Sequence, residues 1–220
     1  MMKLHWSPRS PFVRKVMIAL HETQLLPEVD LVRSVVALHL PPNPAVLADN
    51  PLGKIPALVT EKGQVLFDSR VICAYLNMRA GGTLVPADSA AQIRQLRWEA
   101  LGDGLTDILL LWRTELTRET GPWQAVTDGW QAKVRAAMAR LEAEAEALLA
   151  APFGIGQISV ICALGQLDFR WADCDWRAHA PRLAEAAAHW SRRAAVAATH
   201  VTDDQPEGVE VTQGKLSFIG

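Results

Sequence analysis

The 220-residue chain has few cysteines, no surplus of charge and no long apolar run. No stretch approaches the roughly 18 uninterrupted apolar residues of a membrane span, so no transmembrane helix is expected. Pro8 and Arg9 interrupt the N-terminus before a signal-peptide apolar stretch can begin, so no such leader is expected. Cys73, Cys162 and Cys174 are odd in number and widely spaced. That excludes a disulfide framework and any CxxC pair, and fits a reducing compartment. The formal net charge is −2, from 22 Lys and Arg against 24 Asp and Glu. Such a balance gives no general pull toward nucleic acid or acidic membrane. The six histidines form neither HExxH nor a paired spacing, so no metal site is expected. Surface or capping roles suit His21, His179, His189 and His200. No GxSxG elbow and no Walker A sequence occurs. Gly154-Ile155-Gly156 lacks the third Rossmann glycine, follows no strand and reads as a loop starting a helix. What is present is a chain 50% hydrophobic and 21% charged, long enough for one large domain or two small ones. Its eight tryptophans point to a large helical core or an aromatic-lined cleft.

The first eighty residues are short segments punctuated by Pro and Gly. Residues 2–6 read as a strand. Phe12 to Glu22 reads as a helix, with Val13, Val16, Met17 and Leu20 on one face. Val29, Leu31 and Arg33 alternate as in a half-buried strand. Residues 37–53 carry Pro41, Pro42, Pro44 and Pro51 and read as a loop with one helical turn near Ala45–Ala48. The runs 56–60 and 64–67 flank Glu61-Lys62-Gly63 as a hairpin. A further helix starts at Asp68-Ser69. Residues 81–89 read as a linker between a first domain at 1–80 and a helical one at 90–202. In the latter, Ile93, Leu96, Ala100, Leu101, Leu105, Ile108 and Trp112 fit one long helix. Val134, Met138, Leu141, Ala145 and Leu148 form an amphipathic stripe. Ile158 to Phe169 reads as a buried helix and Leu183 to Ala198 as an alanine-rich one. Residues 203–220 read as a polar, loosely ordered tail.

Three segments of the first domain carry candidate chemistry. Ser10 stands at or near the N-cap of the first helix, with Pro11 at its first position. It is either a plain cap or a hydroxyl beside a helix N-terminus that stabilises a thiolate. In Asn50-Pro51-Leu52-Gly53-Lys54-Ile55-Pro56 a proline opens a strand. A cis bond there turns the backbone of Ile55 outward toward an extended peptide; a simple tight turn is the alternative. Asp68-Ser69 opens a helix. The pair either caps it or holds an end group, Asp68 taking an ammonium and Ser69 with the helix N-terminus a carboxylate.

In order and spacing, Ser10-Pro11-Phe12-Val13-Arg14-Lys15-Val16, Asn50–Pro56 and Asp68-Ser69 resemble the cytosolic glutathione transferases. Ala100–Asp107 and Ala163–Arg170 resemble helices of a bacterial subgroup. The resemblance spans about residues 2–200. It implies an α+β/α architecture: an N-terminal thioredoxin-like βαβαββα domain followed by an all-α helical-bundle domain, in a cytoplasmic homodimer. It implies glutathione as co-substrate, without metal, and an apolar electrophile as second substrate. Pro56 is then the cis-proline, and Ile55 pairs through its backbone with the cysteinyl part of glutathione. Asp68 and Ser69 hold the γ-glutamyl end, and His39 and Lys54 lie where the glycine carboxylate is met. Ser10 becomes the thiol-activating hydroxyl, with Ser7 a competing candidate by position. Trp112 is the candidate wall of the electrophile pocket; an ordinary core tryptophan is the alternative. The rival functions are a non-catalytic glutathione-binding or ligand-carrier protein and a glutathione-dependent disulfide reductase. The three cysteines are expected to take no part in catalysis. The family's second-domain helix-start box, Ser or Thr followed by Asp, is replaced by Gly154 and Gln157.

Overall fold

The computed structural model describes residues 1–82, 84–204 and 212–219. Strands β1 (Met2–Trp6), β2 (Val29–Arg33), β3 (Ala57–Val59) and β4 (Val65–Leu66) form one sheet in the order β2-β1-β3-β4. β1 runs parallel to β2 and antiparallel to β3, and β4 closes a hairpin on β3. Helix α1 (Pro11–Glu22) crosses between β1 and β2, α2 (Pro44–Asp49) precedes β3, and α3 (Ser69–Arg79) follows β4. A short sheet with this order and helices beside it is the thioredoxin-like arrangement. The remaining elements are helical: α4 (Ser89–Leu116), α5 (Gln124–Ala143), α6 (Ala145–Ala150), α7 (Ile155–Arg170), α8 (Trp176–His179), α9 (Pro181–Ser191) and α10 (Ala194–Ala197). α7 is buried along almost its whole length and packs against α4 and α1. It is the central post of the molecule.

The stripe of Val134, Met138, Leu141, Ala145 and Leu148 is buried as expected, although the chain breaks at Glu144 between α5 and α6. Glu144 explains how the break is held. Its carboxylate accepts from the Trp98 indole at 2.6 Å and pairs with Arg97 and Arg140. The Arg97 hydrogen bonds hold its carboxyl down to about 2. A depressed carboxylate stabilises the fold above its unfolded pKa and loses that contribution as pH falls through its folded value. Glu144→Gln should therefore lower the melting temperature at neutral pH and flatten the loss of stability from pH 4.5 down to about 2. Thermal unfolding of both proteins across that range checks this; equal acid sensitivity would contradict it.

Several local expectations change. β2 is the outer strand of the sheet, so Leu31 and Val32 are exposed and only Val29 is buried. In α4 the predicted helix is present, but Ile93 and Leu96 face outward; Trp98, Leu105, Leu109 and Trp112 carry the buried face. The expected helix over 183–198 is split into α9 and α10. At the break Arg193 leaves helical geometry, pairs with Glu22 at 2.8 and 3.0 Å, and lies over the Phe153 ring. The described part of the tail is fixed rather than loose. Gly214 N–H donates to the Arg170 carbonyl, Leu216 is buried, and Arg135 donates to the carbonyls of Ser217 and Ile219. The tail reading also covers residues 205–211 and 220, which lie outside the described residues.

The start of α7 shows why its box departs from the family pattern. Gln157 accepts from the Gly154 N–H at 3.1 Å, the backward half of a capping box. A Cβ on residue 154 would stand 2.5 Å from the Leu84 carbonyl oxygen, so no side chain can supply the other half. That same carbonyl accepts from the Ile155 N–H at 3.0 Å and ties α7 to the segment before α4.

Candidate functional site

Sheet register gathers the three motifs. His5 pairs with Ala57 and Leu58 with Leu66. The chain therefore leaves β1, enters β3 and leaves β4 at the same end of the sheet. Ser7–Ser10, Ile55-Pro56 and Asp68-Ser69 are neighbours there, although up to about sixty residues separate them in sequence.

Ser10 is the N-cap of α1, with extended backbone, and its Oγ accepts from the Val13 N–H at 3.3 Å. A hydroxyl that accepts in this way still has its own proton to donate. Capping and thiolate stabilisation are thus compatible in one side chain. Pro11 has no N–H, so the first turn begins without one competing donor. The helix end carries partial positive charge toward an anion placed at Ser10. Ser7 is buried, its Oγ 3.4 Å from the Arg9 N–H and its carbonyl accepting from the Ser10 N–H.

The Ile55–Pro56 bond is cis. The loop before it is organised by Asn50, 1% exposed, a residue whose part was not legible in the motif. Its Oδ1 accepts from Leu52 N–H at 3.0 Å and its Nδ2 donates to the Lys54 carbonyl at 2.8 Å. Gly53 turns the chain between them at a φ of +62°, where a side chain is strained. An Asn three residues before a turn glycine is the signal that would have found it. Lys54, next to Ile55, is exposed, and His39 is exposed in the loop after β2.

Asp68 is the exposed N-cap of α3; its Oδ1 accepts from Arg70 N–H at 2.9 Å, and no hydrogen bond to its Oδ2 is present among the described residues. Ser69 is buried beside it. Arg70 then donates from Nε to Asp103 of α4 at 2.8 Å. Asp103 in turn accepts from Lys15 at 2.8 Å, and Lys15 also donates to Glu99 at 2.7 Å. Lys15, Glu99 and Asp103 are all buried. Burial opposes the Lys15 charge; Asp103 and Glu99, with Cys73 adding once ionised, outweigh it and hold Lys15 above the ordinary lysine range. This ion cluster fastens α1 and α3, which carry Ser10 and Asp68, to α4.

Trp112 is only 3% exposed and packs against Trp171 with ring centroids 5.5 Å apart. It has little free surface, and the core role describes it better than a pocket wall. The three cysteines are free and buried, and burial pushes the Cys73 and Cys162 thiols up to about 12. Such thiols are poor nucleophiles at neutral pH. A cavity of about 450 Å³ between α7, α9 and α10 is bordered by Leu164, Phe169 and Val196 and reaches Arg14, but Ser10, Ile55, Pro56, Asp68 and Ser69 do not line it. Among the described residues no helix is long and apolar enough to cross a membrane, and no group of three His, Cys, Asp or Glu could hold a metal ion.

Known proteins show the same organisation. Residues 9–79 match the glutathione S-transferase N-terminal domain family, and residues 124–188 the corresponding C-terminal domain family. The chain is 32% identical over 188 residues to the uncharacterized GST-like protein YibF of Escherichia coli (strain K12), covering 83% of this chain and 90% of that one. It is 45% identical to a glutathione transferase family member from Pseudomonas fluorescens Pf-5 solved with bound glutathione, with a TM-score of 0.87 over 92% of this chain and all of that one. A second structure of a Pseudomonas fluorescens Pf-5 family member, also 45% identical and over the same coverage, holds S-(propanoic acid)-glutathione, with a TM-score of 0.84. Two matched domains in the right order, and a relative similar over most of both chains, establish that this protein belongs to the glutathione S-transferase family.

Proposed function

We propose that this protein is a glutathione S-transferase that adds the glutathione thiolate to an electrophile with an apolar body. The observation that carries the reading is the register that sets the Ser10 cap, the cis Ile55–Pro56 bond and the Asp68 cap at one end of the sheet. In this reading Ile55 offers its backbone N–H and C=O to the cysteinyl unit, and Pro56 aims that backbone outward. Asp68 takes the γ-glutamyl ammonium, while Ser69 and the first turn of α3 receive its carboxylate. Lys54, with His39 on the neighbouring exposed loop, meets the glycine carboxylate. Ser10 donates to the sulfur. The structures with bound glutathione and S-(propanoic acid)-glutathione, 45% identical to this chain, support both the ligand and the bond formed. The first domain closes near residue 80, a linker spans 81–89, and the protein works in the cytoplasm as a homodimer. Exposed Val71 and Met78 on α3, and Ile93 and Leu96 on α4, supply an apolar face for a second copy.

Asp68→Ala tests the assignment. Losing a charge-assisted contact should weaken glutathione binding by on the order of 1.5–3 kcal/mol. Calorimetric titration of the folded variant measures it, and unchanged affinity would sink the assignment. Loss of the cap alone would lower stability by about 1 kcal/mol and leave affinity untouched.

A further inference from the structure

Three arginines from different parts of the chain lie close enough to act on one another's charge, and one of them is the neighbour of Ser10. Arg9 immediately precedes it in the β1–α1 loop. Arg113 lies on α4 next to Trp112, and Arg170 ends α7 next to Trp171. The Trp112–Trp171 contact, at 5.5 Å between centroids, brings those two arginines together. Arg9 is drawn in from the other side: Arg9 Nε lies 3.3 Å from Asp203 Oδ1, and Thr202 N–H donates to the Pro8 carbonyl at 3.4 Å.

Among the described residues the buried nitrogens of Arg113 and Arg170 have few acceptors. Arg170 is 2% exposed. Among the described residues its Nε and Nη1, and Nε of Arg113, are buried without a hydrogen-bond acceptor, although the Arg170 guanidinium lies 4.1 Å from the Phe169 ring centroid; Nε of Arg9 meets Asp203 as an ion pair without hydrogen-bond alignment. Asp203 is the one carboxylate that faces Arg113 and Arg170 among the described residues, and it also pairs with Arg9. Burial, then Arg113 and Arg9, pushes the Arg170 guanidinium down to about 9. Arg113 is lowered by burial and by Arg9. Buried donors without acceptors are costly, and three guanidinium groups facing one carboxylate repel one another. A planar anion with two oxygens relieves both, because a guanidinium fork matches a carboxylate bidentately.

We infer that Arg9, Arg113 and Arg170 read a carboxylate on the second substrate, so that the electrophile joins an apolar body to an anionic group. This rests on the transferase reading and specifies its substrate class. Arg9 and Arg113, partly exposed, meet the carboxylate; Arg170, the innermost, adds its field from behind. Arg9 fixes where the reactive carbon lies, because it is the residue next to the thiol-activating hydroxyl. In the reaction the thiol first loses its proton to solvent. The thiolate sulfur then bonds to the electrophilic carbon. For an aryl halide the carbon–halogen bond breaks and the halide leaves with the bonding pair.

The probes are 4-chloro-3,5-dinitrobenzoate and its methyl ester, each assayed with glutathione and divided by its own uncatalysed rate at the same pH. The acid should show at least a tenfold larger rate enhancement in kcat/KM than the ester. Arg113→Gln should bring that ratio close to one, and Arg113→Lys should restore part of it through KM. Arg9→Gln gives the same readout if Arg113→Gln does not fold. Equal enhancement of acid and ester, or a preference for the acid that survives both glutamine variants, overturns the inference and leaves the transferase reading standing. Conjugation of neither probe by a protein that binds glutathione overturns both.

Discussion

Ser10→Ala should slow conjugation roughly tenfold to a thousandfold, the range for losing one preorganised donor to a developing or bound anion. The variant keeps the α1 N-terminus, the cis Ile55–Pro56 backbone and Asp68, so glutathione should still bind. What it loses is the O–H that remains available while Ser10 Oγ accepts from Val13. The bound thiol should then ionise at higher pH, and the pH profile of the rate should move upward by a corresponding amount. Stability should also fall by about 1 kcal/mol, because the same oxygen caps the helix. The two effects separate cleanly: thermal unfolding reads the cap and the pH profile reads the thiolate. An unmoved profile with lower stability would make Ser10 a cap alone, and Ser7 or backbone amides would be the next groups to test.

Lys15→Met should be the most destabilising single change in the ion cluster. It leaves the carboxylates of Glu99 and Asp103 buried without the ammonium that both accept from, and only Asp103 retains Arg70. Removing one partner of a buried pair costs about 3–5 kcal/mol. For a chain of this size that lowers the melting temperature by roughly 6–20 °C. The sign with pH is definite. Lys15 has a raised pKa in the folded state, so its contribution is complete below the ordinary lysine value near 10.4 and is lost only as pH rises through the folded value. The variant should therefore be destabilised throughout the neutral range. Thermal and urea unfolding at pH 7 measure it, and a loss below 1 kcal/mol would contradict the account of this cluster. Glutathione affinity should fall less steeply than stability, since Lys15 reaches the site only by fastening α1 and α3 to α4.

Much of this architecture was legible because its signals are local. Ser10-Pro11, Pro56 and Asp68-Ser69 each mark an element start by backbone chemistry that acts within four residues. Pro and Gly punctuation delivered the strand and helix order, and the stripe from Val134 to Leu148 needed only helical spacing. What escaped depends on distant partners. The α1 pattern does not single out Lys15, whose acceptors lie 84 and 88 positions later. Arg193 breaks the last helix through a glutamate 171 positions earlier. The cluster of Arg9, Arg113 and Arg170 exists only once α4, α7 and the β1–α1 loop are folded together. Trp112 could not be assigned to core or cleft from spacing, because both faces of α4 carry apolar residues. Its buried side is decided by Trp171, which follows the end of α7.

In the proposed reading this protein binds glutathione and ionises its thiol at neutral pH. The direct measurement is the ultraviolet absorbance of the thiolate in the protein–glutathione complex, followed across pH. A free thiol ionises near 8.5. The wild-type complex should titrate about one to two units lower, which corresponds to roughly 1.4–2.7 kcal/mol of differential stabilisation by Ser10 and the α1 N-terminus. Saturable binding with a midpoint still at the free value, or no saturable binding at all, would contradict it.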